Sequence, residues 1–293
     1  MKALILRSRE GWHITRLENA LKKAGAEVVK GSITSMAMRL GHGRGLAIQG
    51  AQARGLDVVI VRIIPAGSME SLLFRMNALR MAQALGARVI NTPLAIEKTV
   101  DKSWTSQILD SAGIPTPRTV VCEQFDDAME AFETMGDVAL KPLTGSCGKG
   151  IMRISSKDMA YRVFRTMEMN RFVYYIQEYI ETGGVDIRVF VAGGKVAAAM
   201  KRSGAGWKAN FHEGASLSAY EPTPEQARMA IQACALLGLD YGGVDIITTG
   251  DGRDFVIEVN GIPGWKGLQS ITSVDIAATI VDLALNEQTV KTG

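Results

Sequence analysis

The first ninety-five residues alternate short apolar strands with amphipathic helices, and this alternation limits the fold more than any other feature of the chain. Strands are predicted at Lys2–Leu6 and Ala26–Val29, on either side of a helix at Trp12–Ala24. Asp57–Val61 is a continuous apolar run, typical of a strand that is buried on both faces. Because strands that alternate with helices form parallel sheets, residues 1–95 are predicted to be a small α/β domain.

The same region contains a helix at Met69–Leu85, a short strand at Arg88–Asn91 and one segment of a different kind. That segment, Ser32–Gly55, is rich in methionine and glycine. We interpret it as a long loop with one helix at Leu46–Arg54. A long irregular insertion of this kind is either functional or mobile.

A second region begins near Thr99, where a helix is predicted to run to Ala112. Strand and helix patterns then continue to the end of the chain without an internal repeat. The predicted strands are Arg118–Val121, Val138–Pro142, Ile151–Ile154, Val173–Tyr179, Val185–Val191, Lys195–Lys201, Gly243–Thr248 and Asp254–Val259. The predicted helices are Asp126–Met135, Lys157–Met169, Pro224–Leu237 and Ile276–Leu285.

Composition excludes several classes of protein. The chain has 293 residues, of which 47% are hydrophobic and 22% charged, as in a globular protein that buries a core. Its net charge of +3 is too small to indicate a nucleic-acid partner, and no apolar run is long enough to span a bilayer. Cys122, Cys147 and Cys234 form no metal or disulfide pattern. We therefore expect a cytoplasmic protein that binds neither nucleic acid nor a membrane.

Two adjacent strands near the C-terminus carry the sharpest chemical signal. Alternation puts Glu258 and Asn260 on one face of the second strand, and Asp245 on the first strand can face them. Glu258 interrupts an apolar strand, where an unpaired carboxylate is costly and a bound cation would offset the cost. Two carboxylates and an amide suit Mg²⁺, which proteins commonly hold beside nucleotide phosphates. The alternative is two half-buried strands with polar surface residues.

A glycine-rich turn follows Lys141, which ends a predicted strand. Residues 144–150 read Thr-Gly-Ser-Cys-Gly-Lys-Gly. Small residues let backbone N–H groups approach phosphates, and Lys141 would add a point charge. The lysine precedes the glycines, so this is not a Walker A loop. By itself, the segment is explained equally well as a flexible hairpin with a surface lysine.

Polar residues interrupt two further predicted strands. Asp186 and Arg188 share one face of their strand, where they form either a surface ion pair or a site for a ribose hydroxyl and a substrate carboxylate. Gln177 and Glu178 interrupt an apolar strand. The exit of that strand can hold a nucleotide base through the backbone, or the strand is an ordinary edge strand.

Cationic residues surround the glycine-rich segment Ser203–Trp207, among them Arg202 and Lys208. A cationic loop beside a metal site would neutralise phosphates as they transfer. The alternative is a solvated hairpin tip. His212 is the only histidine in the last two thirds of the chain, and we assign it no acid–base role.

In this order, the motifs resemble those of the ATP-grasp ligases, and among them the RimK-like ligases that join glutamate or a related amino acid to a carboxylate. The resemblance covers most of the chain. Its matching segments are Asp101-Lys102, Lys141 with the glycine-rich turn, Gln177–Ile180, Asp186–Arg188, Asn210–His212, Gly243–Ile246, Glu258–Asn260 and Pro263-Gly264.

The resemblance implies an α/β (α+β) ATP-grasp fold of three parts. An N-terminal parallel α/β domain would occupy residues 1–95 and a central lid subdomain residues 96–180, and a C-terminal subdomain at 181–293 would carry the metal site. The last two parts would clamp ATP between them. The implied ATP-binding residues are Lys102, Lys141, Gly145, Ser146, Gly148, Gly150, Glu178, Tyr179, Asp186, Lys208 and Asn210.

The resemblance also implies a role for each residue. Lys102 and Lys141 would contact the phosphates, and the loop Gly145–Gly150 would close over them. The backbone of Glu178 and Tyr179 would hold adenine and Asp186 the ribose, with Lys208 and Asn210 near the γ-phosphate. Arg188 and Arg202 would be catalytic, stabilising the acyl phosphate or a substrate carboxylate. Asp245, Glu258 and Asn260 would ligate two Mg²⁺ ions, which Mn²⁺ could replace.

The implied reaction is ATP-dependent amide formation between an acceptor carboxylate and an amino acid, which we expect to be L-glutamate. We expect the acceptor to be a pterin or deazaflavin coenzyme; the alternatives are a ribosomal protein C-terminus and an amino-group carrier protein. A nucleotide-binding regulatory module on the same fold is the non-enzyme alternative, whereas a kinase lacks its expected motifs. Glu213, where many relatives have a basic residue, leaves the acceptor open, as do Cys147 and Lys149. Relatives are often dimers or tetramers, so we expect a homodimer or homotetramer.

Overall fold

A computed structural model of the chain describes residues 1–41, 45–49, 51–52, 55–145, 150–204 and 215–286. Within these ranges the strands form four β-sheets, and helices pack against the larger ones. Among the helices of these ranges, none combines the length and the apolar composition that crossing a membrane requires.

The alternation of strands and helices near the N-terminus produces a parallel sheet, as predicted. Its strands and helices, with three strands inserted between them, are β1 (Lys2–Leu6), α1 (Trp12–Lys23), β2 (Glu27–Gly31), β3 (Met36–Arg39), β4 (Gly45–Ile48), β5 (Ala51–Gln52), β6 (Val58–Val61), α2 (Met69–Ala84) and β7 (Arg88–Ile90). The strand order is β2-β1-β6-β7, and each neighbouring pair is parallel. Helices cover both faces, because α1 packs against Ala3 and Ile5 and α2 packs against Leu4 and Leu6.

The methionine- and glycine-rich segment is folded, so our interpretation of it as a loop was wrong. Strands β3, β4 and β5 form an antiparallel sheet. Within the described residues, β4 and β5 replace the helix predicted at Leu46–Arg54. Leu46 and Ile48 are buried in the same core as α2. All four residues of β4 are buried and β3 has only four residues, so neither strand shows a clear two-residue alternation in the sequence.

Two helices, α3 (Pro93–Val100) and α4 (Lys102–Ser111), replace the single helix predicted at Thr99–Ala112. Asp101 separates them, because its carboxylate accepts the backbone N–H of Ser103 at 2.9 Å and so caps α4. The division proposed at residue 95 falls inside α3. Helix α3 contributes side chains to the cores beside both the N-terminal and the C-terminal sheets.

The central sheet is antiparallel, with strand order β10-β9-β11-β8. Its elements are β8 (Thr119–Cys122), α5 (Phe125–Met135), β9 (Val138–Lys141), β10 (Met152–Ile154), α6 (Lys157–Met169) and β11 (Tyr174–Glu178). Phe132 of α5 and Phe164 of α6 are buried against Leu140 and Ile176 of the sheet. The opposite face of the sheet carries no side chain of this core and can form one wall of a cleft, which is called the ceiling below.

The C-terminal sheet is also antiparallel, with strand order β14-β13-β12-β15-β16. Its elements are β12 (Val185–Ala192), β13 (Lys195–Ser203), β14 (Ser216–Ala219), α7 (Pro224–Leu237), β15 (Tyr241–Thr248), β16 (Asp254–Asn260), α8 (Lys266–Gln269) and α9 (Ile276–Leu285). Strand β14 and helix α8 were not predicted. Helix α7 begins with a capping box of Thr223 and Gln226, which explains its sharp start.

The two faces of the C-terminal sheet have different neighbours. Val189 and Val244 point toward α7, whereas Phe190 and Tyr241 on the opposite face share a core with α1 and α9. That second face thus joins the C-terminal sheet to the N-terminal sheet. Farther along the same strands, it carries charged residues in place of apolar ones.

Candidate active site

Charged side chains from four neighbouring strands of the C-terminal sheet cluster on one face, in two adjacent rows across the strands. Arg202 of β13 is opposite Asp186 of β12. Arg188 of β12 is opposite Asp245 of β15, and Asp245 is opposite Glu258 of β16. These five residues are named the charged cluster below. All of them had been predicted as site residues, and the register of the strands brings them together.

Asp245 is only 3% exposed, and two arginines hold its carboxylate. Arg188 donates from Nε to Oδ1 at 2.6 Å and from Nη2 to Oδ2 at 2.5 Å. Arg202 Nη2 lies 2.9 Å from the same Oδ2. Burial alone would raise the pKa of Asp245, but the charges of both arginines outweigh burial and lower it to about 2. Asp245 is therefore a fixed negative charge.

Arg202 also holds a second buried carboxylate, that of Asp186. Its Nε donates to Oδ1 at 2.5 Å and its Nη2 to Oδ2 at 2.8 Å. Asp186 and Arg188 share a face, as predicted, but each pairs across to a neighbouring strand and both pairs are buried. The alternative of a surface ion pair was therefore wrong. Burial and the charge of Asp245 raise the pKa of Asp186 to about 6, against the opposing effect of Arg202.

A β-bulge in β16 lets Glu258 and its neighbour Ile257 face the same cleft. Asp245 pairs with Glu258 whereas Ile246 pairs with Val256, so Ile257 is the extra residue. Strict alternation would put Ile257 and Glu258 on opposite faces, yet both line one cleft. The Glu258 carboxylate has no hydrogen bond or ion pair with the described part of the chain. It is available to a ligand.

Two lysines and a glutamine line the opposite side of this cleft. Lys141 ends β9 and donates from Nζ to Gln177 Oε1 at 2.5 Å. Lys102 begins α4 and donates from Nζ to the Gly145 carbonyl at 3.0 Å. Burial lowers the pKa of Lys141 to about 8 against the opposing charge of Glu258, and burial also lowers the pKa of Lys102. A bound anion would favour the charged form of both lysines.

Gln177 is a buried residue of the cleft to which the sequence led us to assign no role of its own. It is 3% exposed, and its amide nitrogen donates to Thr119 Oγ1 at 3.0 Å. The amide therefore fixes the carbonyl oxygen that receives Lys141. The sequence did contain a signal for this role, because an uncharged polar residue such as Gln177 in an apolar strand needs hydrogen-bond partners when it is buried.

The exit of β11 forms the inner end of the cleft. Glu178 and Tyr179 line it, but their backbone N–H groups already donate to the carbonyls of Arg118, at 2.8 Å, and Asp137, at 3.0 Å. The Glu178 carboxylate is paired with Arg118 through two hydrogen bonds of 2.9 Å. Apolar side chains from both sheets complete the lining: Pro117, Ala139, Ile151, Ile180, Val185, Ile247 and Ile257.

The remaining predicted residues lie beside the cleft or outside the described residues. Gly150 has a φ of +78°, and a Cβ there would lie 2.9 Å from Pro142 Cγ, so the position requires glycine. Asn260 is opposite Gly243 and is not among the residues that line the cleft. Arg188 reaches the cleft only through Asp245. Outside the described residues are Ser146, Cys147, Gly148, Lys149, Lys208, Asn210, His212 and Glu213.

The oxygen atoms available in the cleft suit a hard divalent cation that binds protein carboxylates and phosphate oxygens together. The described residues contain no group of three or more acidic, histidine or cysteine side chains that could hold a metal alone. Asp245 Oδ1 accepts a single hydrogen bond and so keeps a lone pair, and the Glu258 carboxylate is free. Mg²⁺ typically takes one or two carboxylates and completes its shell with phosphate oxygens and water. Glu258 and Asp245 meet that requirement.

Known proteins with similar sequences include some that are named as glutamate ligases. The tetrahydromethanopterin:alpha-L-glutamate ligase of Methanococcus maripaludis is 37% identical over 203 residues, which are 68% of this chain and 69% of that protein. A probable alpha-L-glutamate ligase of Methanococcoides burtonii is 32% identical over 286 residues, which are 96% of this chain and 93% of that protein.

The fold and the family model agree with these relatives. The crystal structure of a RimK domain ATP-grasp protein from Sphaerobacter thermophilus superposes with a TM-score of 0.78 at 22% identity. The superposition covers 98% of this chain and 100% of that one. A family model described as a RimK-like ATP-grasp domain matches residues 99–284. This chain therefore belongs to the RimK-like ATP-grasp family and is an ATP-dependent ligase.

Proposed function

We propose that the protein joins the amino group of L-glutamate to the carboxylate of an acceptor molecule. The acceptor carboxylate attacks the γ-phosphate of ATP, which gives ADP and an acyl phosphate. The glutamate nitrogen then attacks the acyl carbon, and inorganic phosphate leaves as the amide forms. The observation that carries this proposal is one cleft in which Glu258 and the arginine-held Asp245 face Lys102 and Lys141.

ATP fits this cleft with its phosphates between the two sheets. Lys102 and Lys141 are the cations on the ceiling, and their pKa values, lowered by burial, favour a ligand that returns negative charge. The apolar inner end suits a purine ring. Because the N–H groups of Glu178 and Tyr179 are already donated, we propose that these two residues hold adenine through their carbonyl groups. Asp186 lines the cleft beside the proposed ribose.

Further ATP contacts are proposed from the family resemblance alone. Gly145 and Gly150 flank the lid loop, in which Ser146 and Gly148 would close over the phosphates. Lys208 and Asn210 would approach the γ-phosphate from the loop after β13.

The metal ligands proposed from the cleft are Glu258 and Asp245. Asn260, which does not line the cleft, is proposed from the family resemblance alone to complete the set for two Mg²⁺ ions or Mn²⁺ in their place. Bound there, the ions would neutralise phosphate oxygens as charge builds on them. The residues of the chain hold the geometry. Arg188 fixes Asp245 through two hydrogen bonds, so that the carboxylate cannot turn away from the cleft.

Arg202 is the arginine that can touch the reacting groups. Its Nε and Nη2 are used by Asp186 and Asp245, but its Nη1 has no partner in the described part of the chain. The residue lines the cleft. We propose that Nη1 binds the acyl phosphate or the acceptor carboxylate, for which a guanidinium is well suited. Arg188 acts as a positioning residue through Asp245.

A small coenzyme that carries a carboxylate is the proposed acceptor. One of the relatives described above is named for glutamate ligation to tetrahydromethanopterin, a pterin. A ribosomal protein C-terminus and an amino-group carrier protein are the other candidates, and a homodimer or homotetramer is the expected assembly.

The test is mass spectrometry of candidate acceptors after incubation with the protein, ATP, Mg²⁺ and L-glutamate. The proposal predicts that one acceptor gains one or more glutamyl units, with ADP formed in proportion. Glu258→Gln should abolish the gain, whereas Glu225→Gln, on the exposed start of α7, should leave it unchanged. ADP release that does not depend on any carboxylate acceptor would contradict the proposal.

A further inference from the structure

A second cleft lies at the carboxyl edge of the N-terminal parallel sheet. Residues 7–14, which follow β1, form one wall, and residues 62–63, which follow β6, form the other. This edge is where the topology favours a ligand. Strand β1 leads through α1 to β2 on one side, and β6 leads through α2 to β7 on the other. Ligands of open parallel sheets bind in the crevice between strands whose connections diverge in this way.

The side chains of this cleft are mainly cationic. Three arginines, Arg7, Arg9 and Arg62, line it with a single carboxylate, Glu10. Glu10 is already compensated, since it lies 2.9 Å from Arg7 Nη2 and 3.2 Å from Lys30 Nζ. The cleft therefore keeps an excess of positive charge.

One guanidinium of the cleft is not used by the protein. Arg9 is exposed and makes no hydrogen bond or ion pair with the described part of the chain. The Nε atoms of Arg7 and Arg62 also lack a partner there, but they are shielded from water, so a ligand would meet the terminal nitrogens of these arginines. Helix α1 also begins in this cleft, at Gly11, without a side-chain cap or an acidic residue in its first turn. A carboxylate at this position would accept from the guanidinium groups and from the start of the helix.

Arg62 connects this cleft to the charged cluster. Its Nη2 donates to the Pro263 carbonyl at 2.9 Å, and its Nη1 donates to the Tyr241 hydroxyl at 3.3 Å. Pro263 in turn packs on the charged cluster, because a Cβ at Gly243 would lie 3.0 Å from Pro263 Cβ and 3.6 Å from Arg188 Cδ. The two clefts are thus neighbours, joined through the contacts of Arg62, Pro263 and Gly243.

The spacing indicates which substrate spans the two clefts. Tyr241 and Asp245 are four residues apart on β15, which corresponds to about 13 Å along the strand. One amino acid covers only about 3.5 Å of extended chain, so a single glutamate cannot reach from one site to the other. An acceptor with a second anionic group remote from its reacting carboxylate can.

We propose that the cleft formed by Arg7, Arg9 and Arg62 binds a carboxylate on the tail of the acceptor while its reacting carboxylate lies at Arg202. This inference rests on the proposed ligase function. It restricts the acceptor to molecules that carry at least two anionic groups separated by an extended linker. A coenzyme that ends in glutamyl residues has this form.

The test uses tri-L-glutamate as a probe of the tail and calorimetric titration without ATP, so that binding is measured apart from turnover. The wild-type protein should bind the probe, and Arg7→Gln/Arg9→Gln should weaken binding by about tenfold or more, since two charge-assisted hydrogen bonds are lost. Arg39→Gln, at an exposed position of the same region, is the matched control and should bind as the wild type does. Arg9→Gln alone changes only an exposed side chain and keeps the test valid if the double variant does not fold.

Kinetics with the identified acceptor supply a second measurement. The double variant should raise the KM of the acceptor and leave the KM values of ATP and L-glutamate, and kcat, unchanged. Equal binding of tri-L-glutamate to wild type and variants, or no binding to the wild type, would overturn the assignment of the cleft while leaving the ligase function intact. Arginine-dependent binding without glutamylation of any acceptor would instead retain the cleft and refute the proposed function.

Discussion

Replacing Arg202 by methionine should strongly destabilise the fold, because Arg202 is buried and pairs with two buried carboxylates. The side chains of Arg202, Asp186 and Asp245 are at most 10% exposed. Without Arg202, Asp245 keeps Arg188, but Asp186 loses the partner of both its oxygens. One orphaned buried charge costs about 3–5 kcal/mol, which is the expected loss in the free energy of unfolding.

A double-mutant cycle separates this orphaned charge from the loss of packing. Asp186→Leu/Arg202→Met removes both partners, so it should cost less than the sum of the single variants by about 1 kcal/mol or more. With Arg202 present, the pKa of Asp186 is raised to about 6. Without the positive charge of Arg202 this pKa should rise further, so the folded variant should keep the proton to a higher pH than the folded wild type does. The penalty of Arg202→Met should therefore grow as the pH rises above about 6, where Asp186 of the wild type is already ionised and Asp186 of the variant is not.

Urea unfolding at several pH values is the assay, and Arg228→Met is the matched control. Arg228 makes an equally close two-point pair with Glu225, but both side chains are more than half exposed. Exposed pairs contribute little, so this variant should unfold near the wild-type midpoint. Equal midpoint shifts for Arg202→Met and Arg228→Met would refute the argument from burial.

Three further outcomes follow from the titrating and buried groups. Burial, together with the charges of Arg62 and Lys266, lowers the pKa of His13 from 6.5 to about 4. Between these values the unfolded chain binds a proton that the folded protein does not, so stability to urea should fall as the pH falls from about 6.5 to about 4. His13→Gln should flatten that dependence. Lys141 loses its proton near pH 8, so calorimetric affinity for ADP should weaken as the pH rises through about 8, and Lys141→Arg should remove the effect. Asn91 is fully buried and bonds to backbone groups of Asp240, Tyr241 and Gly261; Asn91→Ala should cost about 3–5 kcal/mol in urea unfolding, because several buried groups lose their partner.

Local signals in the sequence were sufficient to predict the bounds of those helices that begin at a capping side chain. The helices Lys157–Met169, Pro224–Leu237 and Ile276–Leu285 were predicted with the bounds they have, and each starts at a side chain that caps it. Amphipathic periodicity and caps act within a few residues, so a sequence shows them directly. Asp101 is a cap of the same kind, which we did not take as a helix boundary.

Long-range pairing was beyond the reach of the sequence. Alternation correctly put Asp186 and Arg188 on one face, but it contains no information on which strand lies beside which. The observed pairs, Arg188 with Asp245 and Arg202 with Asp186, depend on the register of β12 with β15 and β13. The bulge at Ile257 breaks the two-residue period itself, so no pattern based on that period could place Ile257 in the cleft.

The segment of β3 to β5 shows a third limit. Its strands are short, and the glycines in and between them weaken the propensity signal. They are held by burial of Leu46 and Ile48 against α2, a tertiary contact that the local sequence does not reveal. Propensity therefore predicted a loop where packing formed a sheet.

The central claim is that the acceptor carboxylate attacks the γ-phosphate of ATP and that an acyl phosphate follows. An acceptor whose carboxylate oxygens are labelled with ¹⁸O tests this claim directly, because the bridging oxygen of an acyl phosphate comes from the carboxylate. The account predicts that the inorganic phosphate released with ADP carries one ¹⁸O atom for each amide bond formed, as measured by mass spectrometry. Release of unlabelled phosphate, or of label in AMP, would contradict it.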